Sequence, residues 1–258
     1  MAISTEITRL QTAKSSIKSA IENKGVTVPS TTKLDCYASL ISQINVGGNE
    51  NDIIERTLTS IENSTVDVIG SYAFACCLNL TTASFPECTR INNSAFFNCY
   101  NLSTISFPQC TSIGSSAFFN CSSLTTASFP ECSYIDDAAF ANCFKLSTVS
   151  IPQCTSINYN AFAYCSSLTN VSFPQCTSIG SSAFANCYNL LSLYLLVNSI
   201  PSLYNSSVFI STPIGGYTTS TGGKYGSIIV KSSMLSDFKK SRYWSAYSNR
   251  FSAWNGRD

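Results

Sequence analysis

Ile113-Gly114-Ser115-Ser116-Ala117-Phe118-Phe119-Asn120-Cys121-Ser122-Ser123-Leu124 is the stretch that decides how this chain folds. Its Phe, Cys and Leu recur as Phe74, Cys77 and Leu80, as Phe96, Cys99 and Leu102, and onward to Phe184, Cys187 and Leu190, in six copies spaced 22 residues apart. A fixed interval of that length describes a coil in which each copy is one turn and cannot bury its apolar side without the next. The fold class expected is therefore a repeat solenoid.

Within one turn the pattern assigns faces. Leu102, Ile105 and Phe107 are apolar while Thr104 and Ser106 are polar, a period of two that predicts one short, half-buried strand per turn. Stacked copies make a parallel sheet, and Pro108, which cannot donate to a ladder, ends the strand. Ile113 then points inward. The position after it holds Gly70, Asn92, Gly114, Asp136, Asn158 and Gly180, residue types that tolerate left-handed backbone, so a left-handed corner is expected there. The chain returns along an irregular or 3-10 outer side with Ala117, Phe118 and Cys121 facing in.

This phrase resembles the BspA-type leucine-rich repeat, whose units read approximately Ile-Gly-x-x-Ala-Phe-x-x-Cys-x-x-Leu-x-x-Ile-x-Ile/Phe-Pro. Ile113 to Leu124, completed by Ala127, Phe129 and Pro130, follows that unit, and the likeness runs over residues 58–196 with a looser match through Trp244 and Tyr247. The resemblance implies a leucine-rich-repeat solenoid used as a binding scaffold by adhesins, surface proteins and mobile-element proteins. It implies no reaction, because fold does not fix activity.

The flanks divide the chain into a helical attachment or oligomerisation module at 1–45, a linker at 46–52, the solenoid at 53–200 and an α/β capping segment at 201–258. Ile3, Ile7, Leu10, Ile17 and Ile21 form one helical stripe ending at Gly25; Leu34, Tyr37, Ala38, Ile41 and Ile44 form a second. Ala20 to Pro29 followed by Thr32 to Ile41 resembles a short leader on tail-associated proteins of phages and prophages, although Cys36 departs from the small residue expected there. That resemblance implies attachment to other virion proteins and a homo-oligomer. Leu58 and Ile61 open the coil with a degenerate turn; at the far end Pro201 and Phe209 slip from the period. Residues 212–226 read as a loop or hairpin, 227–230 as a strand, and 234–251 as one or two short helices closing the exposed end.

Only 11% of residues are charged, against roughly 25% in an average soluble domain, so Ser, Thr and Asn carry the solubility. The net charge is +1, and the basic excess is confined to 224–258, too local to argue for a nucleic-acid partner. No run of about 18 apolar residues occurs, so membrane insertion is not expected. Residues 1–21 lack the apolar stretch of a signal peptide, which predicts synthesis in a bacterial cytoplasm and, for a virion protein, release by lysis.

Eleven of the thirteen cysteines form two columns, Cys77 to Cys187 and Cys88 to Cys176; Cys36 and Cys76 stand apart. Disulfides within a column are disfavoured, since stacked turns hold equivalent Cβ atoms about 4.8 Å apart and a bridge needs about 3.5–4.5 Å. Zinc would want Cys-x-x-Cys pairs or histidine, and the chain has no histidine. Buried free thiols are the expectation, with occasional disulfides and metal as the alternatives. The absence of histidine also removes Ser-His and Cys-His nucleophiles, and Glu87 and Glu131 lie on an open ridge without the burial that tunes a glycosidase pair. No catalytic residue, cofactor or metal site is expected.

What remains is surface. Thr82, Thr104, Thr126, Thr148 and Asn170, beside Ser84 to Ser172, form a hydroxyl-rich ladder that could meet a glycan or simply keep the sheet soluble. More informative are positions that differ between turns. Tyr100, Phe144, Tyr164 and Tyr188 appear irregularly at positions expected to be partly exposed, which suits a recognition surface, although packing at the edges of the coil also accounts for them. The expected function is a non-enzymatic phage or prophage structural protein of tail-fibre or receptor-binding type, located on the virion and contacting a host cell-surface protein or glycan. The alternatives are a bacterial BspA-like surface adhesin and a virion decoration protein.

Overall fold

The computed structural model describes residues 59–216, 225–254 and 256, so the module at 1–45, the linker at 46–52 and Leu58 of the opening turn lie outside the described residues. The repeat stacks into parallel rungs: through residue 195, each turn lays its strand beside the residues 22 positions earlier. One ladder comprises β1 (Ser60–Glu62), β3 (Thr82–Ser84), β5 (Thr104–Ser106), β7 (Thr126–Ser128), β9 (Thr148–Ser150), β11 (Asn170–Ser172), β13 (Ser192–Leu195), β15 (Ser227–Val230) and β16 (Phe251–Ala253). It is hydrogen-bonded in three parallel runs, β1-β3-β5, β7-β9 and β11-β13-β15-β16, that follow one another along the coil. Thr and Ser at the ends of its strands face water while the central Ala83, Ala127 and Val171 are buried.

Each turn also carries a second strand that the sequence did not mark. β2 (Val68–Ile69), β4 (Arg90–Ile91), β6 (Ser112–Ile113), β8 (Tyr134–Ile135), β10 (Ser156–Ile157), β12 (Ser178–Ile179) and β14 (Ser202–Leu203) form one unbroken seven-stranded parallel sheet. Two residues are too few to display a period of two, yet the register is fixed because Ile91, Ile113, Ile135, Ile157 and Ile179 stack at no more than 1% exposure. Just before this sheet, Thr89, Thr111, Thr155 and Thr177 each donate their hydroxyl to a carbonyl one turn earlier at 2.9–3.1 Å, so part of the hydroxyl richness is a structural ladder.

The left-handed corner falls elsewhere than expected. Asn92, Asp136 and Asn158 are not left-handed; positive φ occurs two residues later at Ser94, Ser116, Ala138, Asn160 and Ser182, and again at Asn98, Asn120, Asn142, Tyr164 and Asn186. The reason is inter-turn bonding on the return side. Asn98, Asn120, Asn142 and Tyr164 each turn their backbone N–H toward the next turn, donating to Phe119, Ala141, Ala163 and Ala185 carbonyls at 2.8–2.9 Å. Glycine at 114 and 180 serves close approach instead: a Cβ on Gly180 would lie 2.6 Å from the Asn158 carbonyl carbon.

The interior is a spine shared between rungs. Phe74, Phe96, Phe118, Phe140, Phe162, Phe184 and Phe209 form a continuous stack with ring centroids 5.1–5.7 Å apart. Phe85, Phe107 and Phe129 form a parallel stack that meets the first edge-on or tilted. Past residue 200 the coil continues despite the slipped phrase: Leu203 takes the rung above Ile179, and Phe209 extends the phenylalanine stack. A 3-10 turn at Ser232–Met234, helix α1 (Leu235–Lys240) and a 3-10 stretch at Trp244–Arg250 then close this end. Trp244 is fully buried and donates Nε1–H to the Pro201 carbonyl at 2.7 Å, while Tyr247 donates its hydroxyl to the Ser206 carbonyl.

Candidate functional site

Tyr100, Phe144 and Tyr188 occupy one column on alternate turns, with Ser122 and Ser166 on the turns between. The backbone there runs out of the return side toward β5, β9 or the strands equivalent to them, and the side chains are left 41%, 45% and 39% exposed. Ser122 and Ser166 donate their hydroxyls to the Tyr100 and Phe144 carbonyls at 3.2 Å, which ties each aromatic residue's backbone to the next rung. Two rungs separate successive rings, about 10 Å at the spacing of a parallel sheet. The structure therefore places these three in a discontinuous row. Tyr164 joins the same edge from a neighbouring column, 45% exposed and at φ 63°.

A second group was missed from the sequence. Beside the seven-stranded sheet, Tyr134, Tyr159 and Tyr204 are 40%, 52% and 74% exposed, on turns whose equivalents at those positions are Ser, Asn, Asp or Gly with few exceptions. Tyr159 and Tyr204 flank Gly180 and Ser181 at the mouth of an open cavity of ≈ 450 Å³, and an adjoining one of ≈ 430 Å³ extends from Asn158, Gly180 and Tyr204 to Arg242. The signal lies in the sequence: in these columns an aromatic stands where most other turns carry a small polar residue or glycine.

The column thiols are packing groups bonded to backbone. All eleven column cysteines are buried thiols, whereas Cys76, outside both columns, is disulfide-bonded. Cys99, Cys121, Cys143, Cys165 and Cys187 donate Sγ–H to the carbonyls of Phe74, Phe96, Phe118, Phe140 and Phe162 at 2.9–3.2 Å. The outer column donates to backbone two residues on, as Cys110 does to Ser112 at 3.3 Å. Cysteine thus acts as a small hydrophobe whose weak donor reaches the neighbouring backbone. Burial pushes the Cys110 and Cys187 thiols up to about 12, and neighbouring thiols in the outer column push Cys110 the same way. Such thiols are not nucleophiles at neutral pH. Glu87 and Glu131 are exposed, two turns apart. Among the described residues no three His, Cys, Asp or Glu side chains converge as metal ligands would, and no helix is long and apolar enough to cross a membrane.

A family model described as BspA type leucine rich repeat region matches residues 55–143 and 89–212, in six copies. The chain belongs to this BspA-type leucine-rich-repeat family. Solved structures similar to it include a leucine-rich repeat protein of T. pallidum, 22% identical over 52% of this chain and 78% of that one, with a TM-score of 0.40. A leucine-rich cell surface protein from Faecalibacterium prausnitzii A2-165 is 26% identical over 56% of this chain and 48% of that one, with a TM-score of 0.39. A leucine-rich repeat protein from Bacteroides ovatus is 19% identical over 68% and 64%, with a TM-score of 0.34. No match is found among curated proteins. BspA-type repeats build a regular scaffold whose long open surface suits protein interaction or surface recognition. In this BspA-type coil, exposed aromatics are among the residues that break the regularity.

Proposed function

We propose that this chain is a non-catalytic recognition scaffold whose edge, formed by Tyr100, Phe144, Tyr164 and Tyr188, contacts a protein or glycan on a cell surface. The observation that carries the reading is the alternation of aromatic and serine residues at one exposed corner of otherwise equivalent turns. A position dictated by the coil holds the same residue type in every rung; here Ser122 and Ser166 show that the fold accepts a small polar residue. Large aromatics left exposed are the side chains that contribute most at recognition surfaces. Buried, protonated thiols and the exposed, two-turn separation of Glu87 and Glu131 support the non-catalytic part of the reading.

The finer assignment is display on a phage or prophage particle, with residues 1–45 attaching the coil to other virion proteins as a homo-oligomer. Its support is the resemblance of Ala20 to Ile41 to tail-associated leaders. Placement on a bacterial surface is the second reading, favoured by a family match that spans 55–212 and owes nothing to that leader. Immunogold labelling of particles and cells from the source strain separates them: label on virions is expected, and label on envelopes alone overturns the phage assignment. The recognition edge is tested by replacing Tyr100, Phe144 and Tyr188 with Ser, the residue the intervening turns already carry. Binding of the purified chain to host cells should fall about tenfold or more, the effect of removing central aromatic anchors; unchanged binding contradicts the edge.

A further inference from the structure

We propose that the cleft between Tyr159 and Tyr204 is a carbohydrate site that takes one neutral hexopyranose unit of a surface glycan. The inference rests on the coil being a recognition scaffold and names a ligand class for a face separate from the Tyr100–Tyr188 edge.

The register of β10, β12 and β14 stacks Asn158, Gly180 and Tyr204 in one column and Tyr159 and Ser181 in the next. Gly180 and Ser181 therefore form a low floor with a tyrosine on the rung to either side. Glycine at 180 suits the close backbone of Asn158 and Tyr159, and both adjoining cavities are lined by it. A pyranose ring offers one face of C–H bonds, which packs on an aromatic ring, and a rim of hydroxyls that both donate and accept. The cleft matches this with tyrosine walls and with Asp137, Ser181 and Arg242 in its lining; the Ser181 hydroxyl accepts from the Asn205 amide at 3.0 Å and lies 3.1 Å from the Ser207 hydroxyl.

Hydrogen bonds brace the lining around the two tyrosines. Asp137 accepts the backbone N–H of Tyr159 at 3.0 Å through one carboxylate oxygen. The Asn158 amide donates to the Tyr134 hydroxyl at 2.7 Å and to Asp136 at 3.1 Å, and it accepts from Ser156 at 3.1 Å. Arg242 lies over the Tyr243 ring, 4.7 Å from its centroid, and donates to the Tyr243 hydroxyl at 2.8 Å. Preorganisation of this kind lowers the entropic penalty of binding a small polar ligand. A phosphate or sulfate is disfavoured because Asp136 and Asp137 stand beside the cleft, and a purely apolar ligand would strand those groups. None of Tyr134, Tyr159 and Tyr204 is needed by the coil, since equivalent turns manage with Ser112, Ser115 and Gly114 respectively.

The test is saturation-transfer difference NMR of the full chain with methyl glycosides of glucose, galactose, mannose and N-acetylglucosamine at millimolar concentration. Tyr159→Ser and Tyr204→Asn place residues that other turns already hold, so a matching urea midpoint shows that both variants fold. Saturation transfer to the C–H face of at least one glycoside is expected, reduced about tenfold in affinity by either substitution and unchanged by Tyr100→Ser. No transfer to any glycoside, or transfer that survives both substitutions, overturns the carbohydrate site. Either result leaves the cell-binding test of the Tyr100–Tyr188 edge standing, so the two ideas fail separately.

Discussion

Tyr164 adopts φ 63° in a column where Asn98, Asn120, Asn142 and Asn186 adopt 59–62°. Asparagine tolerates this region; a bulky ring there is strained by roughly 1–2 kcal/mol. Tyr164→Asn should therefore raise stability by about 1 kcal/mol in a urea melt, while weakening cell binding if the ring belongs to the recognition edge. A melt showing Tyr164 to be the better residue would mean that its side chain packs as well as it is strained. Phe118 makes the opposite case: fully buried and stacked 5.2 Å from both Phe96 and Phe140, it should lose about 3–5 kcal/mol on replacement by Ala. Its inward placement was legible because Phe repeats with the period. The left-handed positions were legible only in part: Asn98, Asn120, Asn142 and Asn186 mark one column, whereas Ser94 and Ala138 in the other are poor markers of positive φ and are selected by inter-turn hydrogen bonding.

At the scale of the element, a strand of three residues has no independent stability and exists because its neighbours exist. β5 lies beside β3 with Ile105 opposite Ala83, and the register is a whole period. Removing residues 103–124 joins Leu102 to Thr125 just as Leu124 is joined now, so a coil one turn shorter should unfold cooperatively with a modestly lower midpoint. Removing 103–113 instead sets the phenylalanine and cysteine columns half a turn out of step. Circular dichroism and a urea melt should then show loss of the cooperative transition. If both deletions behave alike, the rungs are not in register. Alternation in Leu102 to Phe107 revealed the first ladder, but Ser112–Ile113 was too short to announce the second. The closing strand β16 was equally hidden, since Phe251–Ala253 bears no repeat phrase and pairs only through β15.

At the scale of the whole molecule, the thiol columns make stability depend on pH in one direction. In the folded coil burial raises the thiols of Cys99, Cys121, Cys143, Cys165 and Cys187 above their ordinary value of 9.0, so they stay protonated when an unfolded chain would ionise. The folded state then holds more protons than the unfolded one, and stability must fall as pH rises. Nothing is lost below pH 9; above it each such thiol removes roughly 1–1.5 kcal/mol per pH unit until its own folded pKa is reached. Alkaline unfolding should begin between pH 9 and 10 and should be absent at neutral pH. The cap belongs to this scale too, for Trp244 and Phe209 cover the last rung and keep the spine dry. Capping was legible as a need of any solenoid, whereas the tyrosine cleft arises from residues scattered over three turns and the closing segment. One continuous, water-excluding spine of phenylalanine and thiol side chains holds the molecule together, and peptide mapping after exposure to a water-soluble thiol reagent at neutral pH is its sharpest test. The eleven column cysteines should stay unlabelled in the native chain and become labelled together on unfolding in urea; labelling of most of them without denaturant would mean that no such spine exists.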